Sequence, residues 1–193
     1  MITLVAATNN PHKLIEFREI LGENYDIKSL NDLGLHVEVV EDADSFYGNA
    51  YKKAKAVCDA CGQAALSDDS GLIVDALGGA PGVYSARYAG RDGDDAANRK
   101  KLLKEMAVVT DFNKRTARFH SSVVIVYPDG RSISGAGDTE GKILFEEKGD
   151  GGFGYDCLFY SDDLGKSFGE ATPEEKNSVS HRARALFDLL AAK

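Results

Sequence analysis

Apolar runs and amphipathic stretches alternate along the first part of the chain. The run ITLVAA predicts an opening β-strand, and the polar turn TNNP leads into a helix on which Leu14, Phe17 and Leu21 recur at helical spacing. The segments YDIKSL and HVEVV predict two further short strands. The chain therefore opens as a strand, a turn and a helix.

The next predicted helix is marked at both ends. Ser45 is placed to cap a helix over FYGNAYKKAKAVCDAC that stops at Gly62, and Asn49 and Lys53 share one face of it. The segment AALSDDSGLIV follows, with two adjacent carboxylates where a strand is predicted to end. The glycine-rich LGGAPGVYSARYAG comes next, and its length and irregularity indicate a functional loop.

The second half of the chain predicts a helix, a hairpin and a helical C-terminus. Residues 94–107 predict a helix, and TARFHSSVVIVYPDGRSISGAG predicts a β-hairpin that turns at PDG. GDGGFGYDCLFY runs from a glycine cluster into another strand. Thr172 and Glu175 form a capping box for a last helix, with a possible restart at Ser180. Because there is no repeat or linker, we expect one domain over residues 1–193.

Composition and charge exclude several classes of function. The chain has 193 residues, of which 43% are hydrophobic and 28% are charged, which is typical of one globular domain. A net charge of -8 argues against nucleic acid as a partner. The start MITLVAATNN predicts neither a signal peptide nor a membrane span. Three cysteines give no disulfide framework, so we expect a cytoplasmic protein.

The adjacent carboxylates Asp68 and Asp69 are the first candidate for chemistry. Two carboxylates about 4 Å apart repel by about 1 kcal/mol in water and more in a protein, so a divalent cation is the usual compensation. The alternative is an ordinary turn, in which Asp and Ser bond to nearby backbone. The apolar residues on both sides favour metal binding or proton abstraction. Glu41 could supply another carboxylate, although it stands equally well at an ordinary strand end.

Two lysines are candidates for binding an anion. The turn TNNPHK lies between a strand and a helix N-terminus, where backbone N–H groups and the helix dipole attract negative charge, and Lys13 adds a full positive charge. A capped turn with a solvated lysine explains the same residues equally well. Lys53 has a stronger alternative, because it belongs to the charged helix face KKAK.

Two later segments have the residues needed to hold a flat base. FGYD, residues 153–156, puts two aromatic side chains and a carboxylate after a glycine run, an arrangement suited to stacking and to accepting hydrogen bonds. The alternative is a core Phe and Tyr with a turn Asp. EEKNSVSHRARAL brings Lys176, His181 and Arg182 near a predicted helix start, where they offer several hydrogen-bond donors.

In this order, TNNPHK, SDDSGL with GGAPGVYSARYAG, GGFGYD and EEKNSVSHR resemble the inosine triphosphate pyrophosphatase family, which removes noncanonical purine nucleotides. The resemblance spans almost the whole chain and is most specific from Ser67 to Gly90. The chain departs from the family pattern at three places. Pro11-His12 stands where a small residue and glycine are common, Val40 where a second Glu is common, and Asp44 where Gly is common.

The resemblance implies an α/β fold of two lobes around a long mixed β-sheet with flanking helices, with the active-site cleft between the lobes. It implies an enzyme, usually a homodimer, that uses Mg²⁺ to convert ITP, dITP or XTP to the monophosphate and pyrophosphate. Carried over residue by residue, the phosphates would be bound by Thr8, Asn9, Asn10, Pro11, His12, Lys13, Lys53 and Ser70. Nucleoside and base would be bound by Phe153, Gly154, Tyr155, Asp156, Lys176, His181 and Arg182.

For the metal, the resemblance implies Glu41 and Asp69 as ligands, with Asp68 as a further candidate. Asp69 would also be the catalytic base that takes a proton from water attacking the α-phosphorus. Two other readings stay open. One is a nucleotide-sensing module that binds without hydrolysis, and the other is a pyrophosphatase for other altered or pyrimidine nucleotides.

Overall fold

The computed structural model describes residues 1–191 and contains a seven-stranded sheet with flanking helices. The strands are β1 Ile2–Ala6, β2 Tyr25–Lys28, β3 Ala65–Val74, β4 Thr116–Val126, β5 Ser132–Ile143, β6 Phe159–Ser161 and β7 Lys166–Ser167. The helices are α1 Pro11–Leu21, α2 Phe46–Cys61, α3 Asp95–Met106, α4 Pro173–Val179 and α5 His181–Ala191. Within the described chain, no helix is both long and apolar enough to cross a membrane.

The sheet is mixed, and its strand order is β2-β1-β3-β4-β5-β6-β7. Strand β1 pairs in parallel with β2 and β3, whereas β6 pairs antiparallel with β5 and β7. Parallel neighbours need a crossover, and α1 and α2 occupy the two connections around β1. The predicted α/β class with a mixed sheet is confirmed.

The chain divides into two compact units, each built from separate segments. The first unit contains Met1–Asp69, Ser121–Gly137 and the segment that begins at Arg182, and the second contains Ser70–His120 and Asp138–His181. The expectation of one domain over residues 1–193 stays a prediction.

The first unit has a core on each face of its strands. Side chains alternate along a strand, so Leu4 and Ala6 face one core while Val5 faces the other. The first core includes residues of α1 and α5: Phe17, Leu21, Ala185, Leu186 and Leu189. The second core includes residues of α2: Ala50, Ala54, Val57 and Cys58. Three helices are therefore held against the strands by buried apolar side chains.

Helix α2 forms as its sequence predicts. The Ser45 hydroxyl accepts a hydrogen bond from the Gly48 N–H at 3.1 Å, and Gly62 ends the helix with a φ of 67°. The positive φ is a conformation that glycine adopts without a Cβ penalty. These two ends fix which side chains of α2 face the strands.

The second unit has its own core, which surrounds the aromatic side chains of Phe119, Phe159 and Phe168. The buried Arg115 guanidinium ties the surrounding backbone together. It donates to the carbonyls of Ile143, Met106, Val109 and Leu144 at 2.7–2.9 Å. One cation therefore donates to four carbonyl groups of the surrounding backbone.

Three local predictions are wrong. Residues 36–40, HVEVV, form no strand, because they have no ladder partner, although Leu35 and Val37 pack on the second core of the first unit. The strand predicted to end at Asp68 and Asp69 does not end there, since β3 runs without interruption from Ala65 to Val74. The strand predicted after the glycine cluster begins only at Phe159, because Asp156–Leu158 forms a short 3-10 turn.

The C-terminal helices agree with the predicted signals. The Thr172 side chain accepts from the Glu175 N–H, while the Glu175 carboxylate accepts from the Thr172 N–H, which is the predicted capping box. Helix α4 ends at Val179 and α5 begins at His181, so the chain restarts its helix at Ser180 as expected.

Candidate active site

Strand β3 carries Asp68 and Asp69 in its middle, and both side chains are buried in the first unit. Successive side chains of a strand point to opposite faces. Asp68 accordingly meets side chains from α1 and α5, whereas Asp69 meets side chains from α2. The two neighbouring carboxylates therefore have different partners.

Asp68 is compensated by two cations. Its Oδ2 accepts from Arg182 Nε at 3.0 Å and from Arg182 Nη2 at 2.8 Å. Its Oδ1 lies 3.1 Å from Lys13 Nζ, an ion pair whose angles fall outside hydrogen-bond geometry. Burial raises the pKa of the Asp68 carboxyl, but Arg182 and Lys13 outweigh this effect and hold that pKa well below its usual range. Asp68 is therefore ionised.

Glu16 completes this buried group of charges. Its carboxylate pairs with Arg182 Nη1, and the Arg182 side chain is fully buried between the two carboxylates. Arg182 was predicted to bind the base, and in the structure its guanidinium bonds to Asp68 and Glu16 in the first unit. Its role toward a base stays a prediction.

Asp69 lies on the side of β3 that faces α2. Its Oδ1 is 3.4 Å from Lys53 Nζ, and its Oδ2 accepts from Asn49 Nδ2 at 3.2 Å. Lys53 Nζ also lies 2.8 Å from Glu41 Oε2, so one cation contacts both predicted metal ligands. Burial raises the pKa of Asp69, against the opposing effect of Lys53 and Lys13. Asp69 is thus more basic than an ordinary aspartate.

Lys53 stays charged in these surroundings. Burial lowers the pKa of its amine, but Asp69, Asp68 and Glu41 outweigh that effect and raise the pKa above its ordinary value. Lys13 differs, because burial lowers its pKa more than Asp68 raises it. The two lysine amines therefore differ in pKa, and they contact carboxylates on the two faces of β3.

The residues around Asp69 fit a Mg²⁺ ion that takes its other ligands from a substrate. Across residues 1–191, no three His, Cys, Asp or Glu side chains converge closely enough to hold a metal by themselves. Two carboxylates, Glu41 and Asp69, do converge, and a cation already contacts both. Mg²⁺ is commonly held by one or two carboxylates together with substrate phosphates and water. The donor set is therefore sufficient for that ion.

The turn before α1 uses its own side chains to cap the helix. Asn10 Oδ1 accepts from the N–H groups of His12 at 2.9 Å and Lys13 at 3.4 Å, with Pro11 in the first helical turn. Thr8 Oγ1 accepts from the Asn10 N–H at 3.1 Å. The exposed Asn9 and His12 side chains stand at the surface of this turn. Phosphate contact with the capped N–H groups would have to replace the Asn10 side chain.

The predicted base-binding residues lie in the second unit, apart from Arg182. Asp156 Oδ2 accepts from the Phe153 N–H at 2.8 Å and from Lys176 Nζ at 2.7 Å. The same Lys176 ammonium lies 4.8 Å from the centre of the Phe153 ring. A ring, a carboxylate and an ammonium therefore converge, although α4 is separated from residues 153–156 by a strand pair.

Three other residues predicted to bind the nucleotide are buried or half-buried. Tyr155 is buried in the core of the second unit and its hydroxyl donates to the Ser85 carbonyl at 2.7 Å, as the core alternative requires. His181 is buried and stacks on Phe119, with ring centres 4.8 Å apart. Ser70 is half-buried and directly follows Asp69 in β3.

Sequence reasoning missed two contributors to the site. Asn49 binds Asp69 and also accepts from the Ala43 N–H at 3.0 Å, which ties the segment after Glu41 to α2. Its spacing of four residues from Lys53 was the available signal. Glu16 gave no such signal, because only the tertiary position of Arg182 explains a buried glutamate on α1.

Comparisons with known proteins agree on one family. The model of the Ham1 family matches residues 4–192 of the chain. The chain is 50% identical over 184 residues to the dITP/XTP pyrophosphatase of Desulforamulus reducens, covering 95% of this chain and 91% of that protein. It is 45% identical over 183 residues to the dITP/XTP pyrophosphatase of Bacillus subtilis, covering 94% and 92%.

A solved structure extends this similarity to the fold. The Ham1 protein of Staphylococcus aureus superposes with a TM-score of 0.85 at 36% identity, covering 98% of this chain and 97% of that one. The family predicted from the four motifs is thereby confirmed, and this chain belongs to the Ham1 family.

Proposed function

We propose that this chain hydrolyses the noncanonical purine nucleotides ITP, dITP and XTP to the monophosphate and pyrophosphate. The observation that most strongly supports an enzyme is the placement of Lys53 Nζ, from α2, against both Asp69, which is buried on β3, and Glu41, which lies in the irregular segment before α2. A module that only binds nucleotides has no need for two adjacent buried carboxylates, Asp68 and Asp69. The substrate class follows the names of the relatives, which are dITP/XTP pyrophosphatases.

Mg²⁺ is the proposed cofactor, with Glu41 and Asp69 as its protein ligands. When bound there, it would offset the charge of the phosphate oxygens and allow a triphosphate to approach an acidic protein. Lys13 and Lys53 provide further positive charge, which suits them to offset the charge on departing pyrophosphate. Electrostatic stabilisation of this kind is the main contribution expected in phosphoryl chemistry.

Asp69 is proposed as the general base that takes the proton from the attacking water. A base is most effective when its pKa approaches the working pH; without the cation, burial moves the pKa of Asp69 in that direction, and bound Mg²⁺ would lower it again. Asn49 holds the other oxygen of this carboxylate, so the side chain is fixed in one orientation. Proximity and orientation of this kind are a large part of enzymatic rate enhancement.

Phe153, Asp156 and Lys176 are proposed to hold the base. The ring offers a stacking face, and the ammonium is a donor suited to the 6-oxygen of hypoxanthine and xanthine. Adenine presents an amino group at that position, which leaves the donor unpaired. Sites that hydrogen-bond a substrate group can reject the analogue lacking it by about 10⁴-fold or more.

The test is pyrophosphate release from ITP, XTP, dTTP, GTP and ATP, with Mg²⁺ and with a chelator. We expect Mg²⁺-dependent release from ITP and XTP, with kcat/KM for ATP lower by at least about 10³-fold. Preferred turnover of dTTP would indicate a pyrophosphatase for other nucleotides. Tight binding of ITP without release would indicate a sensing module, and either result would remove the proposal.

A homodimer in the cytoplasm is proposed on the resemblance to the family. The free thiols of Cys58, Cys61 and Cys157 are consistent with a reducing compartment. Light scattering coupled to gel filtration tests the assembly, and we expect a mass twice that of the 193-residue chain. The mass of one chain at micromolar concentration would contradict it.

A further inference from the structure

The backbone conformation of the segment Phe153–Asp156 is not determined by the residues of that segment alone. Gly152 and Gly154 have φ values of 69° and 62°, in the left-handed region that glycine enters without strain. A Cβ on Gly152 would stand 2.1 Å from Asp156 Oδ2, so that position must be glycine. The segment is closed on itself by bonds from the Phe153 N–H to Asp156 Oδ2 at 2.8 Å and from the Asp156 N–H to the Phe153 carbonyl at 3.1 Å, but neither bond involves Gly154.

Two side chains of helix α3 form hydrogen bonds with the backbone N–H and carbonyl of Gly154. The Gly154 N–H donates to Asp95 Oδ2 at 3.0 Å, and the Gly154 carbonyl accepts from Arg99 Nη1 at 3.0 Å. Asp95 and Arg99 are four residues apart, so they lie on the same face of α3. Both bonds involve a charged side chain, and such bonds are stronger than neutral ones.

Arg99 is itself fixed by a third group. Its Nε donates to Glu147 Oε1 at 2.8 Å, so the guanidinium spans Glu147 and Gly154 with its rigid fork. A lysine at this position has one nitrogen and could not reproduce the two directions. The pair of bonds from residue 99 to Glu147 and to the Gly154 carbonyl therefore requires an arginine at that position.

The residues on either side of Gly154 in this segment belong to the proposed base-binding site. Phe153 precedes Gly154 and carries the stacking ring, and Asp156 follows two residues later and binds Lys176 at 2.7 Å. A shift of Gly154 would move the ring and the carboxylate together. The bonds of Asp95 and Arg99 to this segment go to the Gly154 backbone, so their effect on the two side chains would pass through that backbone.

We propose that Asp95 and Arg99 of α3 are positioning residues that hold the segment Phe153–Asp156 in its base-binding conformation by bonding the two backbone groups of Gly154. The expected effect on KM for ITP rests on the proposed function. The expected effect on the order of the segment does not depend on that function.

The kinetic test uses Arg99→Ala and Asp95→Ala with ITP and Mg²⁺. We expect KM to rise about tenfold in each variant while kcat stays within about threefold, because binding of the base is lost far from the reacting phosphorus. Asp95→Asn keeps an oxygen that accepts from the Gly154 N–H, so its KM should stay close to the wild-type value. The exposed Lys100 stands next to Arg99, and Lys100→Ala removes the same charge as a matched control.

Amide hydrogen exchange of the peptide covering residues 152–156 tests the same inference without activity. Exchange should become faster in Arg99→Ala and Asp95→Ala, and should match the wild type in Lys100→Ala and Asp95→Asn. Unchanged exchange and KM within twofold in both alanine variants would overturn the inference. If wild-type protein released no pyrophosphate from ITP, the proposed function would fail, and the exchange result would still decide whether α3 orders the segment.

Discussion

Asp68 and Asp69 are adjacent, yet their surroundings shift their pKa values in opposite directions. Arg182 and Lys13 hold the pKa of Asp68 low, whereas burial raises that of Asp69 despite the nearby Lys53. Alternation along β3 produces the difference, because it directs one carboxylate to α1 and α5 and the other to α2. Asp68 is thereby suited to hold charges in place, and Asp69 to accept a proton.

The change Asp69→Asn should separate activity from stability. We expect kcat for ITP to fall about 10²–10⁴-fold, because the general base is lost. The Tm measured in chelator at pH 7 should stay equal or rise, since burial disfavours the carboxylate that the amide replaces. Turnover by pyrophosphate release and thermal unfolding by circular dichroism measure both effects.

Asp59→Asn on the exposed side of α2 is a matched control for that change, because it removes one carboxylate from the same unit. It should leave turnover close to the wild-type value. Wild-type turnover in Asp69→Asn would remove this residue from the mechanism.

Asp68→Asn should destabilise the fold in a manner that depends on pH. Removing one partner of a buried ion pair costs about 3–5 kcal/mol at pH 7, because Arg182 is left with less compensation. The folded pKa of Asp68 lies below its ordinary value of 3.8, so the carboxylate contributes its stability above that pH and loses it as the pH falls through the folded pKa.

Urea unfolding at pH 7 and at pH 3 measures this difference. The gap in free energy of unfolding between wild type and Asp68→Asn should be largest at pH 7 and smaller at pH 3. An equal gap at both values would show that the carboxylate charge is not what stabilises the fold.

The residue types of the site were predictable from sequence, but their partners were not. Asp69, Lys53 and Glu41 were all candidates, and the structure brings them together. The bonds from Arg182 to Asp68 and Glu16 join residues 114 and 166 positions apart. No local pattern reports such contacts, because they depend on how α1, β3 and α5 pack.

At the scale of elements, β5 and α5 pack closely against each other at Gly135. A Cβ on Gly135 would stand 2.3 Å from the Leu189 backbone nitrogen and 2.4 Å from the Ala185 carbonyl oxygen. Gly135→Ala should therefore lower the free energy of unfolding by about 1–3 kcal/mol or more, because backbone atoms cannot yield as side chains do.

Chemical unfolding measures the effect of Gly135→Ala, with Ser134→Ala as the control. Ser134 precedes Gly135 on β5 and is exposed, so its change should alter stability little. Equal stability of the two variants would contradict the close packing of α5 on β5.

Elements were predictable where their signals are local. The cap at Ser45, the stop at Gly62 and the capping box at Thr172 all lie within a few residues of the ends that they define. The strand predicted over residues 36–40 failed because a strand needs a partner, and apolar alternation does not provide one. The strand was predicted to end at Asp68 and Asp69, and it continues because buried strand pairing overrides the turn preference of Asp.

At the scale of the whole molecule, a protein with a net charge of -8 repels an anionic substrate. Positive charge placed close to the bound phosphates must offset this repulsion. The motif resemblance predicted the α/β class and the family, because it spans almost the whole chain. The resemblance implied two lobes, but which segments make up the two compact units was not predictable, since this depends on contacts between distant strands and helices.

A divalent cation held by Glu41 and Asp69 during turnover is the central requirement of the proposed mechanism. The most direct test is a Mg²⁺ titration of pyrophosphate release from ITP in wild type and in Glu41→Gln. We predict no turnover in chelator, and a Mg²⁺ requirement that is higher by about tenfold or more in Glu41→Gln. Turnover of ITP in chelator, or the same Mg²⁺ dependence in both proteins, would contradict the account.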